Sequence, residues 1–297
     1  MKLRIGTRRS RLAMAQAEAV ARALRNAGAE PEVVPMQTAG DRGGAGGASP
    51  AGLKGLWVSD IVRALREGEV DLAVHSAKDL PAEDEDGVAL AAVPERASPL
   101  DVLITPDGHL PQGSGLGTSS LRRRSQVLRW RPDLRVVELR GNVDTRLAKL
   151  ERGEVDGLVL AAAGLLRMGI VPEHAAPMSA AEMVPAPGQG CLGIQARSAD
   201  PGVLEVLSRL DHRDSRTAFE AERRLVRLLG GGCALPLGAY ARVQDQRVRL
   251  VAVVLTSDGD RAARVDVEAT SPEVAADVAA QRLRSEGAEQ ILAEARA

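Results

Sequence analysis

Aromatic side chains are almost missing from this chain of 297 residues: Trp57, Trp130, Phe219 and Tyr240 are all it has. A platform for stacked bases needs several flat rings at the surface, so no nucleic-acid partner is expected, and the core must be built from Leu, Val, Ile and Ala. Cysteine is scarce too. Cys191 and Cys233 stand far apart, which excludes a disulfide framework. No CxxC occurs, and His75, His109, His174 and His212 are scattered, so no metal site of zinc-like spacing is present. There is no run of about 18 apolar residues, the length a membrane span needs. The chain opens on Lys2-Leu3-Arg4-Ile5 rather than on a signal-peptide h-region. No membrane partner and a cytoplasmic location are therefore expected. Net charge is close to balance at −1, giving no global pull on nucleic acid or anionic lipid. Lysine is rare: of 39 basic residues only Lys2, Lys54, Lys78 and Lys149 are not arginine. Against that bias, a retained lysine marks a place where a compact ammonium is useful.

What is present is an ordinary globular composition, 44% apolar and 27% charged, on a chain long enough for two ordinary domains or three small ones. Strand and helix signals alternate through the first two-thirds. Strands are expected at 3–7, 32–37, 71–75, 116–118, 136–139 and 157–160, and helices at 10–26, 58–66, 120–130 and 143–151; this alternation is the signature of α/β units. Two internal echoes sharpen it. Leu65-Arg66-Glu67-Gly68-Glu69-Val70-Asp71 returns as Leu150-Glu151-Arg152-Gly153-Glu154-Val155-Asp156, and Gly6-Thr7-Arg8-Arg9-Ser10 as Gly117-Thr118-Ser119-Ser120-Leu121. Two echoes in the same order predict two lobes of like topology, with a ligand between them where strand ends and helix starts converge. From about residue 214 the pattern changes to helix, glycine loop, three strands (237–243, 248–255 and 264–269) and closing helices, which predicts a separate α+β domain. The Gly/Ala/Ser-rich stretch 39–52 has no periodicity and reads as a mobile loop, a flap over the cleft in its functional reading.

The chemistry-bearing residues cluster at predicted element ends. His75-Ser76-Ala77-Lys78-Asp79-Leu80-Pro81 follows a buried strand into a proline turn. Gly117-Thr118-Ser119-Ser120-Leu121-Arg122-Arg123-Arg124 puts hydroxyls and free N–H groups at a helix start, a natural anion site. The arginines there oppose the helix dipole, which makes sense if they meet an anion. Arg140 and Arg146 follow the next strand, Arg167 the next helix, and Arg8 the first strand. Guanidinium forks bind carboxylates in bidentate fashion, so a substrate with several carboxylates is implied. Gly230-Gly231-Gly232-Cys233 reads as an exposed thiol loop, where a basic cleft lowers a thiol's pKa and makes it a nucleophile. Cys191, in a strand-like context, reads as structural.

Together these motifs resemble the porphobilinogen deaminase family over nearly the whole chain: Ile5-Gly6-Thr7-Arg8-Arg9-Ser10, Lys54-Gly55-Leu56-Trp57, Val74 to Pro81, Gly117 to Arg123, Leu139 to Arg146, Pro187-Gly188-Gln189-Gly190, Gly231-Gly232-Cys233 and Pro236-Leu237-Gly238-Ala239-Tyr240. The resemblance implies an α/β fold of two periplasmic-binding-protein-like lobes, with mixed sheets and helices on both faces, plus a smaller C-terminal α+β domain with a three-stranded sheet. Its divisions would be 1–95 with 190–210, then 99–186, then 213–297. It implies a dipyrromethane cofactor on Cys233 through a thioether, and four porphobilinogen molecules joined head to tail with loss of ammonia before hydroxymethylbilane is released by hydrolysis. Asp79 matches the catalytic carboxylate. Lys78, Thr118, Ser120, Arg122, Arg123, Arg146 and Gly190 match cofactor positions. Arg8, Ser10, Arg140, Arg146, Arg167 and Gln189 match substrate positions, and Lys54 and Trp57 the flap. The chain departs from the family at Ser59, where a second lysine is common, at Ala39-Gly40-Asp41, where Arg-Gly-Asp is common, and at Trp57, usually Phe. A monomer is expected. The rival reading is a two-lobed binding protein for a polycarboxylate, which has no use for a third domain.

Overall fold

The computed structural model describes residues 1–38, 50–230 and 235–296, with backbone alone for 50–57 and 296. In strand β1 (Lys2–Arg8), Leu3 and Ile5 pack into one apolar cluster with Ala17, Val20, Ala21 and Leu24. Those four recur at helical spacing along one face of α1 (Arg11–Asn26). Strand β2 (Glu30–Met36) runs parallel to β1. Helix α2 (Pro50–Arg66) begins eight residues before the apolar periodicity that signals it in the sequence. Strands β3 (Leu72–Ser76) and β4 (Val88–Ala92) complete this stretch.

The chain then crosses to a second lobe: β5 (Asp101–Ile104), β6 (Gly115–Gly117), α3 (Leu121–Trp130), β7 (Arg135–Val137), α4 (Val143–Glu151), β8 (Gly157–Ala161), α5 (Ala162–Arg167) and β9 (Ala175–Pro177). It returns through β10 (Leu192–Arg197) and α6 (Pro201–Ser208). The two five-stranded sheets have the orders β2-β1-β3-β10-β4 and β7-β6-β8-β5-β9. In each, three parallel strands meet an antiparallel fourth. Each sequence echo falls on equivalent points of the two lobes: α2 to β3 against α4 to β8, and β1 to α1 against β6 to α3. The paired stops Gly68 and Gly153 take the same left-handed backbone, φ 74° and 71°, which only glycine adopts at no steric cost.

β10 belongs in sequence with the second lobe but pairs inside the first sheet, with Leu192 against Ser76 and Ala196 against Leu72. Two chain crossings therefore join the lobes, and they touch. The Ala97 N–H donates to the Gly190 carbonyl at 3.2 Å. Gly190 has φ +89°, and a Cβ there would lie 2.4 Å from the Ala97 oxygen.

The last unit is α7 (Arg213–Leu228), β11 (Leu237–Gln244), β12 (Arg247–Leu255), β13 (Ala262–Ala269), α8 (Pro272–Ser285) and α9 (Ala288–Arg296). Its sheet is antiparallel, and Asp245 and Gln246 make the two-residue hairpin turn with positive φ. One sheet face packs on Leu225 of α7 and on Ala275, Ala276, Ala279 and Ala280 of α8; small residues let the helix lie close. Glu222 of α7 is completely buried. It accepts from the Gly188 N–H and the Ala241 N–H, each at 2.6 Å, and from Arg96 at 2.7 Å. Arg96 also donates to the Gln189 carbonyl at 2.8 Å and lies over the Tyr240 ring at 5.1 Å. Both crossings are thus tied to the third unit through one ion pair. No helix among the described residues is long and apolar enough to cross a membrane.

Candidate active site

A cavity of about 210 Å³ opens between the lobes. From the first lobe it is lined by Arg8 at the end of β1, Ser10 and Gln16 of α1, His75 and Ser76 of β3, and Lys78 and Asp79 beyond it. From the second come Arg123, Arg146 and Arg167, with the starts of α4 and α5; the return crossing adds Gly188, Gly190 and Cys191. Strand ends and helix starts of both lobes thus converge, as expected for paired α/β units.

Ser10, two residues past β1, caps α1, accepting from the Ala13 N–H at 3.3 Å. Gln16, one turn further, donates to Ser76 Oγ at 2.8 Å and so fixes the end of β3. Beyond it Ala77–Asp79 form a single 3₁₀ turn, held by Ala77 N–H to the Cys191 carbonyl at 3.1 Å and Leu80 N–H to Ala77 at 3.1 Å. Gly188 packs directly against this turn; a Cβ there would stand 2.9 Å from the Lys78 nitrogen. Arg223 of α7 clamps the next segment, donating to the Pro81 carbonyl at 3.0 Å and the Glu83 carbonyl at 2.7 Å. Asp79 therefore stands on a base gripped from three sides.

The arginines divide into two sets. Arg122 and Arg123, in the first turn of α3, converge on Asp101 at 2.8 Å each, and Asp101 is fully buried. Burial pushes its carboxyl up, but the two guanidiniums hold it well below the usual carboxylate range. Arg122 also donates to the Val184 carbonyl at 2.7 Å and turns away from the cavity, whereas Arg123 reaches its wall. Arg146 donates to the Gly141 carbonyl at 2.8 Å and Ser119 Oγ at 3.2 Å. Arg167 donates to the Gly190 carbonyl at 2.7 Å. Neither has a carboxylate partner among the described residues. Burial, then the nearby Arg123, lowers Arg146 to about 10, and burial lowers Arg167; Arg146 remains cationic at neutral pH.

Of the residues expected from sequence, the cavity wall gathers Arg8, Ser10, Lys78, Asp79, Arg123, Arg146, Arg167 and Gly190. Others lie off it. Ser120 caps α3 by accepting from the Arg123 N–H at 3.4 Å, and Thr118 Oγ1 accepts from the Ser120 N–H at 3.2 Å. Gln189 is buried and donates to Asp101 at 3.1 Å and the Pro99 carbonyl at 2.7 Å, bracing the arginine pair. Arg140 is exposed and paired with Glu138 at 2.7 Å. Cys233 and Ala39-Gly40-Asp41 lie outside the described residues, as do the side chains of Lys54 and Trp57. Cys191 is buried, and burial pushes its thiol up to about 12, which makes it an inert group.

Sequence reasoning missed Asp101, Gln16 and Arg223, and named His75 within its motif without giving it a role. Asp101 left a signal, a lone acid heading the apolar run Val102-Leu103-Ile104. Arg223 left none, since a clamp on distant carbonyls has no local pattern.

The chemistry of the donor set is that of a receptor for carboxylates: half-buried guanidiniums without acidic partners among the described residues, in one cavity with a carboxylate on a braced turn. Comparison with known proteins is specific. Residues 3–205 match the family model "Porphobilinogen deaminase, dipyromethane cofactor binding domain", and residues 217–286 match "Porphobilinogen deaminase, C-terminal domain". The porphobilinogen deaminase of Syntrophotalea carbinolica is 44% identical, covering 98% of this chain and 95% of that one. That of Desulforudis audaxviator is 45% identical, covering 99% and 97%. Among solved structures, a Salmonella typhimurium periplasmic binding protein of high arginine specificity aligns with a TM-score of 0.40 at 14% identity, covering 70% of this chain and 91% of that one. The Bordetella pertussis BvgS periplasmic VFT2 domain aligns with a TM-score of 0.41 at 13% identity, covering 71% and 86%.

Proposed function

The chain belongs to the porphobilinogen deaminase family, and from that premise we propose that it condenses four porphobilinogen molecules head to tail, with loss of ammonia, and releases hydroxymethylbilane by hydrolysis. The cofactor is dipyrromethane, for which the matched domain is named; its anchor is Cys233, through a thioether. Held there, the dipyrrole supplies the pyrrole carbon from which the chain is extended. The observation that carries this reading is the pairing in one cavity of Asp79 with Arg146 and Arg167, cations that have no acid of their own among the described residues.

Each pyrrole carries acetate and propionate. Arg8, Ser10, Arg146 and Arg167 bind those of the incoming substrate, and Lys78, Arg123, Arg146 and the Gly190 backbone those of the cofactor. Thr118, Ser120, Arg122 and Gln189 serve the same end by shaping the start of α3 and the Asp101 pair. Arg140 meets substrate only by leaving Glu138. Lys54 and Trp57 act from the flap. Asp79 holds the pyrrole N–H and faces the positive charge that develops on the substrate as ammonia leaves, an electrostatic role performed by a carboxylate already in place. It also helps move the proton. The working division is 1–95 with 190–210, 99–186 and 213–297, in a cytoplasmic monomer whose partner is the small substrate. A polycarboxylate-binding protein accounts for the lobes but not for the C-terminal match.

The test is direct. Purified protein should exceed its sequence mass by one covalent dipyrrole and release ammonia from porphobilinogen. Asp79→Asn should fold and keep the dipyrrole but lose about a hundredfold in turnover, the scale of one lost electrostatic contact. Sequence mass alone with no ammonia released overturns the function; normal turnover in Asp79→Asn removes that residue from catalysis.

A further inference from the structure

Arg11 is the first residue of α1, where a cation works against the helix dipole, and no acid stands in that turn to offset it. Its partners lie across the cleft. Nη1 donates to Asp144 Oδ1 at 2.9 Å and Nη2 to the Met168 carbonyl at 3.4 Å. Asp144 is in the first turn of α4, where a carboxylate suits the dipole, and Met168 caps the C-terminus of α5, the end that favours a cation. Among the described residues, both hydrogen bonds of Arg11 therefore reach the second lobe. Leu12 follows it there. Its Cδ2 lies 3.7 Å from where a Cβ of Gly164 in α5 would stand, and Val143 of α4 closes on the same point at 3.9 Å. Leu12, Val143 and Gly164 all line the cavity. The lobes thus have a tie apart from the crossings of the chain, beside the cavity itself. A residue set against its own helix and satisfied only by the other lobe breaks a local rule for the sake of that contact.

We propose that Arg11 and Asp144 form an electrostatic clasp that holds the lobes together for the first additions and parts as the chain lengthens, so that it sets the relative rates of early and late steps. This rests on the stepwise condensation given above. Asp79 belongs to the first lobe, Arg146 and Arg167 to the second, and all three line one cavity. A short chain is gripped from both sides only while the lobes are close. Each addition then brings another pyrrole into the same cavity, and the last additions favour lobes that have moved apart. An exposed pair suits the task. Its side chains are 62% and 44% exposed, and such a pair biases an equilibrium by no more than about fivefold. A buried pair such as Arg96 and Glu222 would not reopen within a catalytic cycle.

The experiment uses the holoenzyme, with the covalent dipyrrole verified by intact mass. The chain stays on its thioether until release, so intact mass after a timed quench with porphobilinogen counts the enzyme carrying one, two, three or four added units and gives the rate of each addition. In Asp144→Ala the first addition should slow while the last does not, and the ratio of last to first should rise about two- to fivefold, the reach of an exposed pair. Arg11→Ala should shift the ratio in the same direction. In the Arg11→Ala background, Asp144→Ala should add almost nothing, because the partner is already gone. Raising the salt should move the wild-type ratio toward that of the variants and move theirs less. An unchanged or lowered ratio in the single variants, or a full further shift in the double variant, overturns the clasp and leaves the condensation standing. A wild-type enzyme that adds no mass in steps and releases no ammonia overturns the reading beneath it instead.

Discussion

Arg96 and Glu222 meet at 2.7 Å with almost no solvent on either, 10% and 0% exposed. One belongs to the first crossing between the lobes, the other to the third unit. The Glu222 carboxylate also holds the Gly188 N–H beside the Asp79 turn. A single ion pair therefore joins the crossing between the lobes, the turn that carries Asp79 and the C-terminal sheet.

Removing one member of a buried pair strands the other charge, which costs about 3–5 kcal/mol. Glu222→Ala should destabilise the chain by that amount in urea unfolding. Activity should fall at temperatures where the variant is still folded, since Gly188 loses its acceptor. A loss below about 1 kcal/mol, the range of exposed pairs, would show the pair to be solvated in practice.

Arg122 and Arg123 share Asp101 but face different ways. Either leucine substitution leaves Asp101 with one guanidinium and should lower stability. Only Arg123 lines the cavity, so Arg123→Leu should carry less covalent dipyrrole than Arg122→Leu when both are purified folded. Intact mass measures the loaded fraction, and full, equal loading in both would remove Arg123 from the cofactor site.

Thioether formation needs a thiol that reaches the thiolate. Cys191 packs in the core with Ala77, Val93 and Phe219, and burial pushes its thiol up to about 12, which disfavours it as the proposed anchor. Cys233→Ser should abolish both the added mass and turnover, while Cys191→Ser keeps both. Retention of the added mass in folded Cys233→Ser would place the anchor elsewhere.

Burial lowers the His75 imidazole from 6.5 to about 4. A base with a lower pKa in the folded chain is protonated first in the unfolded chain. Its contribution to stability is therefore full above about pH 6.5 and is lost as the pH falls toward 4. At about 1.36 kcal/mol per unit, the loss across that window is on the order of 3 kcal/mol. Urea midpoints at pH 7 and pH 5 should fall more steeply for the wild type than for His75→Gln. Parallel falls would mean that the ring is protonated without cost.

The parts of the fold legible in the sequence are those with local signals. The apolar spacing of α1 and its Ser10 cap, the glycine stops at 68 and 153, and the alternation in β13 all act within a few residues. β4 and β9 were missed because alanine, which makes up most of both, carries little strand preference, and β5 because its four residues open on an acid. The place of β10 in the first sheet depends on contacts more than a hundred residues away, and only family resemblance could supply it. At the site, the turn at 77–79 and the arginines were legible as motifs. The sharing of Asp101 was not, since a buried ion pair looks like any two charged residues in a sequence. Glu222 did leave a trace. It falls among Ala218, Phe219, Ala221 and Leu225 on the apolar face of α7, where an acid is buried only if it is paired.

The crossing at Gly190 sets the aperture of the enzyme. Its positive φ and the 2.4 Å gap to the Ala97 oxygen leave no place for a β-carbon. Any larger residue must wedge the two crossings apart and break the bond from Ala97 to its carbonyl. The lobes also meet where Arg11 pairs with Asp144 at 2.9 Å, so displacement at the crossing is felt across the cavity that Asp79 and Arg146 both line. The spacing between Asp79 and Arg146 is thus gauged by one missing methyl group, and Gly190→Ala changes that gauge without altering either side chain.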